Sequence, residues 1–197
     1  PVELLPVPGS DELLVLEVAG KLWTVPNHEE AERELVVDLK EQISEFQRSY
    51  GFAFHPDFAS NGYCYICYIT ASGLPDGTRV SRFRVTSQRP LRIDLASEER
   101  VISWLSGGHN GGSLMFGPRD GMLYISTGDG APPFPPDTHQ TGQDISDLLA
   151  SVLRIDVDTP SGNRLYSIPT DNPYVSLAGA RGEVWTYGHR NPWRMSF

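Results

Sequence analysis

Apolar side chains in this chain come in short runs broken by glycine, proline or charge, and the spacing of a long amphipathic helix is nearly absent. Residues 13–18 and 22–25 are two such runs around Ala19-Gly20-Lys21, which predicts a β-hairpin turning at the glycine. Residues 34–39 predict a further strand, and the charged residues 27–33 before it a solvated connection. In residues 78–85, Val80, Phe83 and Val85 are set against charged neighbours, which suits a half-buried strand. Runs at 62–70, 101–105, 114–116, 122–127, 151–157 and 183–187 predict more strands. Residues 117–121 form a turn between two of them, and 144–149 suit one helical turn. Strand after strand joined by short turns means a sandwich, a barrel or a propeller. Glycine turns near Gly20, Gly121 and Gly162 recur at about blade length and favour the propeller.

Composition agrees. With 19 glycines and 16 prolines the chain is rich in turns, and its 197 residues can enclose one sizeable core, read as a single domain over 1–197. No apolar run reaches membrane-spanning length. A net charge of −9 argues against a nucleic-acid partner, since phosphate binding needs a basic face. The first residue is Pro1, so a removed leader or a trimmed chain is expected. Cys64 and Cys67 have CxxC spacing, yet they stand in a strand-like run. Side chains three apart on a strand face opposite ways, so the thiols are expected to pack separately rather than bridge or share a metal.

Chemistry concentrates in Gly107-Gly108-His109-Asn110-Gly111-Gly112, followed by a strand and then Gly128-Asp129-Gly130. Glycine turns permit positive φ and close approach of a ligand. If adjacent strands bring both turns to one end of a sheet, Asp129 can orient His109 as a general base. The proline-rich loop 130–142, with Pro132, Pro133, Pro135 and Pro136, is long enough to read as a site loop.

Several phrases stand together in one order: Gly51-Phe52-Ala53-Phe54-His55-Pro56-Asp57-Phe58, the His109 and Asp129 turns, Leu153-Arg154-Ile155-Asp156, Ile168-Pro169-Thr170-Asp171-Asn172-Pro173, and Gly188-His189-Arg190-Asn191-Pro192-Trp193-Arg194. From about Val15 onward the chain resembles the soluble glucose/sorbosone dehydrogenases, whose relatives include aldose sugar dehydrogenases using pyrroloquinoline quinone (PQQ). The resemblance implies an all-β, six-bladed β-propeller, of which this chain would be the first half, about three blades of a longer protein. It implies oxidation of the anomeric hydroxyl of an aldose, or of a related sugar alcohol or aldehyde, with hydride passing to PQQ and on to a further electron acceptor. His109 matches the catalytic histidine and a PQQ contact, Asp129 the aspartate that hydrogen-bonds it, and Arg190 and Asn191 a pair that contacts PQQ. Gln47 matches a cofactor-contacting glutamine, although Gln47-Arg48-Ser49-Tyr50 stands where the family has Gly-Leu-Leu. Gly108 occupies the place of an acidic cofactor contact in some members. A calcium site is expected downstream of Phe197, and a periplasmic or extracellular location follows from the resemblance.

The remaining residues read as structural. His55 suits a strand end, and His189 faces away from Arg190 by strand alternation. Trp193 and Arg194 are blade-closing contacts, Asp156 and Asp158 solvated turn residues, and His139 a loop residue. Two other functions use similar frames: a non-catalytic propeller that binds protein or glycan, similar to the hedgehog-interacting proteins, and a calcium-dependent lactonase. The His109–Asp129 pair with Arg190-Asn191 favours the oxidoreductase. The lactonase would need a carboxylate cluster beyond Asp129.

Overall fold

The computed structural model describes residues 1–197. Its strands form three antiparallel four-stranded meanders. The first is β1 (Glu3–Pro6), β2 (Glu12–Leu16), β3 (Lys21–Pro26) and β4 (Glu34–Asp38). The second is β5 (Arg48–Phe54), β6 (Tyr63–Ile69), β7 (Thr78–Gln88) and β8 (Leu91–Trp104). The third is β9 (Leu114–Phe116), β10 (Leu123–Ser126), β11 (Ser151–Ile155) and β12 (Val184–Tyr187). Single helical turns, α1 (Leu39–Gln42) and α2 (Phe58–Asn61), follow β4 and β5. The first strand of the middle sheet, β5, packs against both β1 and β9, so the first strand of each sheet is innermost and the fourth outermost. These are three blades of a β-propeller.

The core lies between the blades as two apolar layers, and β6 shows why the pattern reads as it does. Its residues Cys64, Ile66 and Tyr68 enter the layer toward the first blade, whereas Tyr65 and Cys67 enter the layer toward the third. A strand covered on both faces needs apolar residues throughout, while its period of two still sorts them by side. Cys64 and Cys67 are thus buried, free and on opposite faces of the sheet, as their spacing predicted.

The structure changes the element reading in three places. Strand β1 has no clear sequence signal, and β8 begins ten residues before the expected 101, because its charged stretch pairs along β7 instead of alternating cleanly. Residues 144–149 form no helical turn. The carboxylates of Asp144 and Asp147 accept the N–H groups of Ser146 (2.8 Å) and Leu149 (2.7 Å), and such local side-chain bonds compete with helix bonds.

Each blade ends at the outer edge and the next begins inside, so a crossover must span one face of the ring. The connections 39–47 and 105–113 do this, and the chain leaves β12 on the same side. Antiparallel alternation puts the β2–β3, β6–β7 and β10–β11 loops on that face too. The crossovers rest on these loops: Leu39 N–H donates to Gly20 O (3.0 Å), Gly73 N–H to Ser106 O (2.8 Å), and Gly130 N–H to His109 O (2.9 Å). The His109 and Asp129 turns therefore meet.

The opposite face is closed by charge. Arg154 on β11 is buried; its guanidinium donates to Asp120 (3.0 Å), Asp171 (2.7 Å) and the Asn172 amide oxygen (2.8 Å), and stacks 5.0 Å from the Trp185 ring. Hydrogen bonding to Asp171, outweighing burial, pushes its pKa higher still. The Leu-Arg-Ile-Asp and Ile-Pro-Thr-Asp-Asn-Pro phrases thus serve the fold. His55 is structural as expected, but Asp158 is more than a solvated turn residue. The Nδ1 of His55 accepts from Asp57 N–H (3.0 Å) and Asn61 (2.8 Å), and its Nε2–H donates to Asp158 (3.0 Å) across two blades.

Candidate functional site

His109 sits midway along the crossover from β8 to β9, in backbone that Asn110 folds upon itself. The Asn110 amide oxygen accepts from Gly107 N–H (2.8 Å) and Thr78 Oγ1–H (3.0 Å), and its NH2 donates to Gly107 O (2.8 Å). Gly111 and Gly112 take φ of +67° and +98°, a region that costs other residues about 1–2 kcal/mol. Gly128 is needed for contact instead: a Cβ there would lie 2.5 Å from His109 O. Gly107 likewise faces the backbone of Gly130, and Gly51 that of Gly112. The glycine-rich letters are the imprint of backbone packed on backbone.

Asp129 hangs in the β10–β11 loop with its N–H donating to Arg190 O (2.9 Å). Its Oδ1 accepts from Ala131 N–H (2.9 Å) and from His109 Nδ1–H (2.8 Å). Both residues are buried, 6% exposed for His109 and 2% for Asp129, so little water competes for the bond. An ionised carboxylate only accepts, so Nδ1 carries the proton and Nε2 the lone pair. Nε2 has no partner in the chain and is not sealed from solvent. An imidazole held this way, one nitrogen fixed and the other presented, can act as a base.

Arg190 and Asn191 follow β12. Asn191 Oδ1 accepts from Gly111 N–H (3.3 Å), two residues from the base, and the exposed Arg190 donates only to Pro133 O (3.1 Å). Asp129 thus bonds both the His109 ring and the Arg190 carbonyl directly, and Asn191 joins them through Gly111 of the His109 turn. Gln47 lies on the same face, exposed at the entry to β5, and no hydrogen bond ties its side chain to the other four. A cleft of about 260 Å³ opens beside Asp129 and Arg190, walled by Pro136, Asp137, Gln143 and His189. His189 is a correction. Strand alternation would have turned it away, but β12 ends at Tyr187 and Gly188 takes φ +89°, so the alternation stops before His189 is reached. Trp193 and Arg194 close toward the centre as expected, Trp193 edge-on to Tyr50 at 5.2 Å and Arg194 donating to Tyr50 O (3.3 Å). No group of three His, Cys, Asp or Glu side chains comes together to hold a metal ion.

The family model described as Glucose / Sorbosone dehydrogenase matches residues 1–197. Among curated proteins, the HIPL2 protein of Arabidopsis thaliana is 32% identical over 96% of this chain and 35% of its own length. Hedgehog-interacting protein of Homo sapiens is 33% identical over 94% of this chain and 28% of its own. Among solved structures, the PQQ-bound form of aldose sugar dehydrogenase from Streptomyces coelicolor superposes with a TM-score of 0.72 at 26% identity, covering 97% of this chain and 51% of that one. The chain spans about a third of these curated relatives and half of the solved neighbour, which fits three blades of six.

Proposed function

We propose that this chain, which belongs to the glucose/sorbosone dehydrogenase family, carries the base and part of the cofactor seat of a PQQ-dependent oxidoreductase that oxidises the anomeric hydroxyl of an aldose or a related sugar alcohol or aldehyde. The observation that carries this reading is the buried 2.8 Å His109–Asp129 bond, with Nε2 unpaired and with Arg190 and Asn191 hydrogen-bonded to the same two turns, Arg190 O to Asp129 N–H and Asn191 Oδ1 to Gly111 N–H. PQQ bears three carboxylates and a quinone, and Arg190 keeps most of its N–H donors unspent, so the donor set fits it. When bound, PQQ supplies the hydride acceptor. His109 Nε2 takes the proton from the hydroxyl as the carbon–hydrogen bond of the same carbon gives up its hydride, leaving a lactone. Asp129 holds the imidazolium that forms and keeps its tautomer. Arg190 would hold a PQQ oxygen with its free N–H donors and would there offset negative charge. Calcium ligands downstream of Phe197, a separate electron acceptor and a periplasmic or extracellular location belong to the same proposal. Within the chain no helix is long and apolar enough to cross a membrane.

A second reading is favoured by the relatives themselves, since HIPL2 and hedgehog-interacting protein match over nearly the whole chain: a propeller that binds protein or glycan without turnover. One experiment separates the two. The full-length parent protein is reconstituted with PQQ and calcium, and dye reduction is followed with a panel of aldoses, alongside His109→Ala. PQQ-dependent turnover that vanishes in the variant is the expected result. A folded protein that binds no PQQ would leave the binding propeller as the account.

A further inference from the structure

The proline-rich loop holds a side chain the chemistry above does not use. Phe134 is 86% exposed, the most exposed large apolar residue in the chain. A phenyl ring left in water gives up a large burial term, and a loose loop tip would fold it back. This loop is not loose. Pro132, Pro133, Pro135 and Pro136 fix φ on both sides of Phe134. Asp137 accepts from Thr141 N–H (2.8 Å) and Gly142 N–H (3.3 Å), and Thr141 Oγ1–H donates to Asp129 O (3.3 Å). The Phe134 neighbours on either side point to one place: Pro133 O holds Arg190, and Pro136 walls the cleft beside Asp129. The ring is thus held in solvent on a stiff loop that is pinned, one residue before it and two after it, to the candidate site.

We propose that Phe134 is a specificity-determining residue, an aromatic platform on which the apolar face of a pyranose ring stacks while its hydroxyl groups meet the polar cleft. The inference rests on the sugar-oxidising reading for its ligand. It does not rest on turnover for its test. A pyranose presents axial C–H groups on one face, and an aromatic ring covers such a face without hydrogen bonds. The polar cleft walls, Asp137, Gln143 and His189, supply donors and acceptors for the ring's edge.

The test uses the full-length parent protein with Phe134→Ala, Phe134→Tyr and Phe134→Trp. At 86% exposure these changes leave folding intact. With PQQ bound, Phe134→Ala should raise KM for the aldose about tenfold with kcat nearly unchanged, while Tyr and Trp keep KM near the parent value. Independently of PQQ, the indole added by Phe134→Trp should emit as a solvent-exposed group and shift or quench on titration with the aldose. An unchanged KM in Phe134→Ala together with a silent fluorescence titration would overturn the platform while leaving the oxidoreductase reading intact. An indole emitting as a buried group before any sugar is added would also overturn it, since another part of the protein would then cover the position. If the parent binds no PQQ, the reading above fails, yet a sugar-dependent indole signal would still support the platform.

Discussion

Gly128 gives the sharpest test of how the fold holds the base. Its backbone needs no left-handed conformation, so alanine would be tolerated there on φ alone. The obstacle is contact: the new Cβ would lie 2.5 Å from His109 O, 2.6 Å from its carbonyl carbon and 3.0 Å from Asn110 N. Those are main-chain atoms of the residue that carries the imidazole and of the next one, so no side chain can swing aside. Restoring van der Waals separation requires the two turns to part by about 1 Å, and a misplacement of that size at a reacting group can cost about 100-fold in rate. Overpacking should also take roughly 1–3 kcal/mol from stability. Gly121→Ala is the control. Its φ of +69° makes alanine strained by about 1–2 kcal/mol, but nothing lies within 4 Å. The assay is PQQ-dependent dye reduction by the full-length protein with denaturant melts of both variants. Similar stability losses with kcat reduced only in Gly128→Ala are expected. If Gly128→Ala turned over like Gly121→Ala, backbone contact at Gly128 would not be what positions His109.

Other outcomes follow from the same geometry. Asp129→Asn keeps the volume but can donate to Nδ1, favouring the tautomer with the proton on Nε2. Turnover should then fall at least about 100-fold with PQQ affinity little changed, read by kinetics beside cofactor titration. Cys64 and Cys67 are sealed in separate layers, and burial pushes both thiols well above the usual range. Both should resist thiol reagents in the native protein and react only on unfolding, a mass-resolved count that would fail if either labelled early. Burial alone would raise the Glu183 carboxyl, but hydrogen bonds from Arg181 (2.9 Å) and Tyr166 (2.7 Å) hold it below its ordinary 4.5. A lowered folded-state pKa means stability is full above 4.5 and is lost as pH falls through the lower folded value. Glu183→Gln should flatten that acid limb in pH-dependent melts.

Much was determined by the sequence alone. Residues 62–70 are apolar on both parities because their strand is covered on both faces, and that local rule also separates Cys64 from Cys67 without any structure. The paired glycine turns announced His109 and Asp129, since glycine alone takes the φ at Gly111 and Gly112 without strain and fits the contact at Gly128. Strand β1 and most of β8 stayed hidden, because β1 buries none of its residues fully and the first ten residues of β8 are interrupted by charge, so both take their pairing from a neighbour rather than from a strong apolar pattern of their own.

Tertiary structure decided the rest. Only the crossover from an outer to an inner strand brings Asp129, Arg190 and Asn191, from distant parts of the chain, onto the backbone around His109. It also turned His189 into the cleft, because a glycine ends the strand whose alternation would have pointed it elsewhere. The same packing showed the Leu-Arg-Ile-Asp and Ile-Pro-Thr-Asp-Asn-Pro phrases to be one buried arginine network rather than part of the site. Spacing along a chain encodes which face a side chain takes. Which faces meet depends on where three blades fold, and no local period records that.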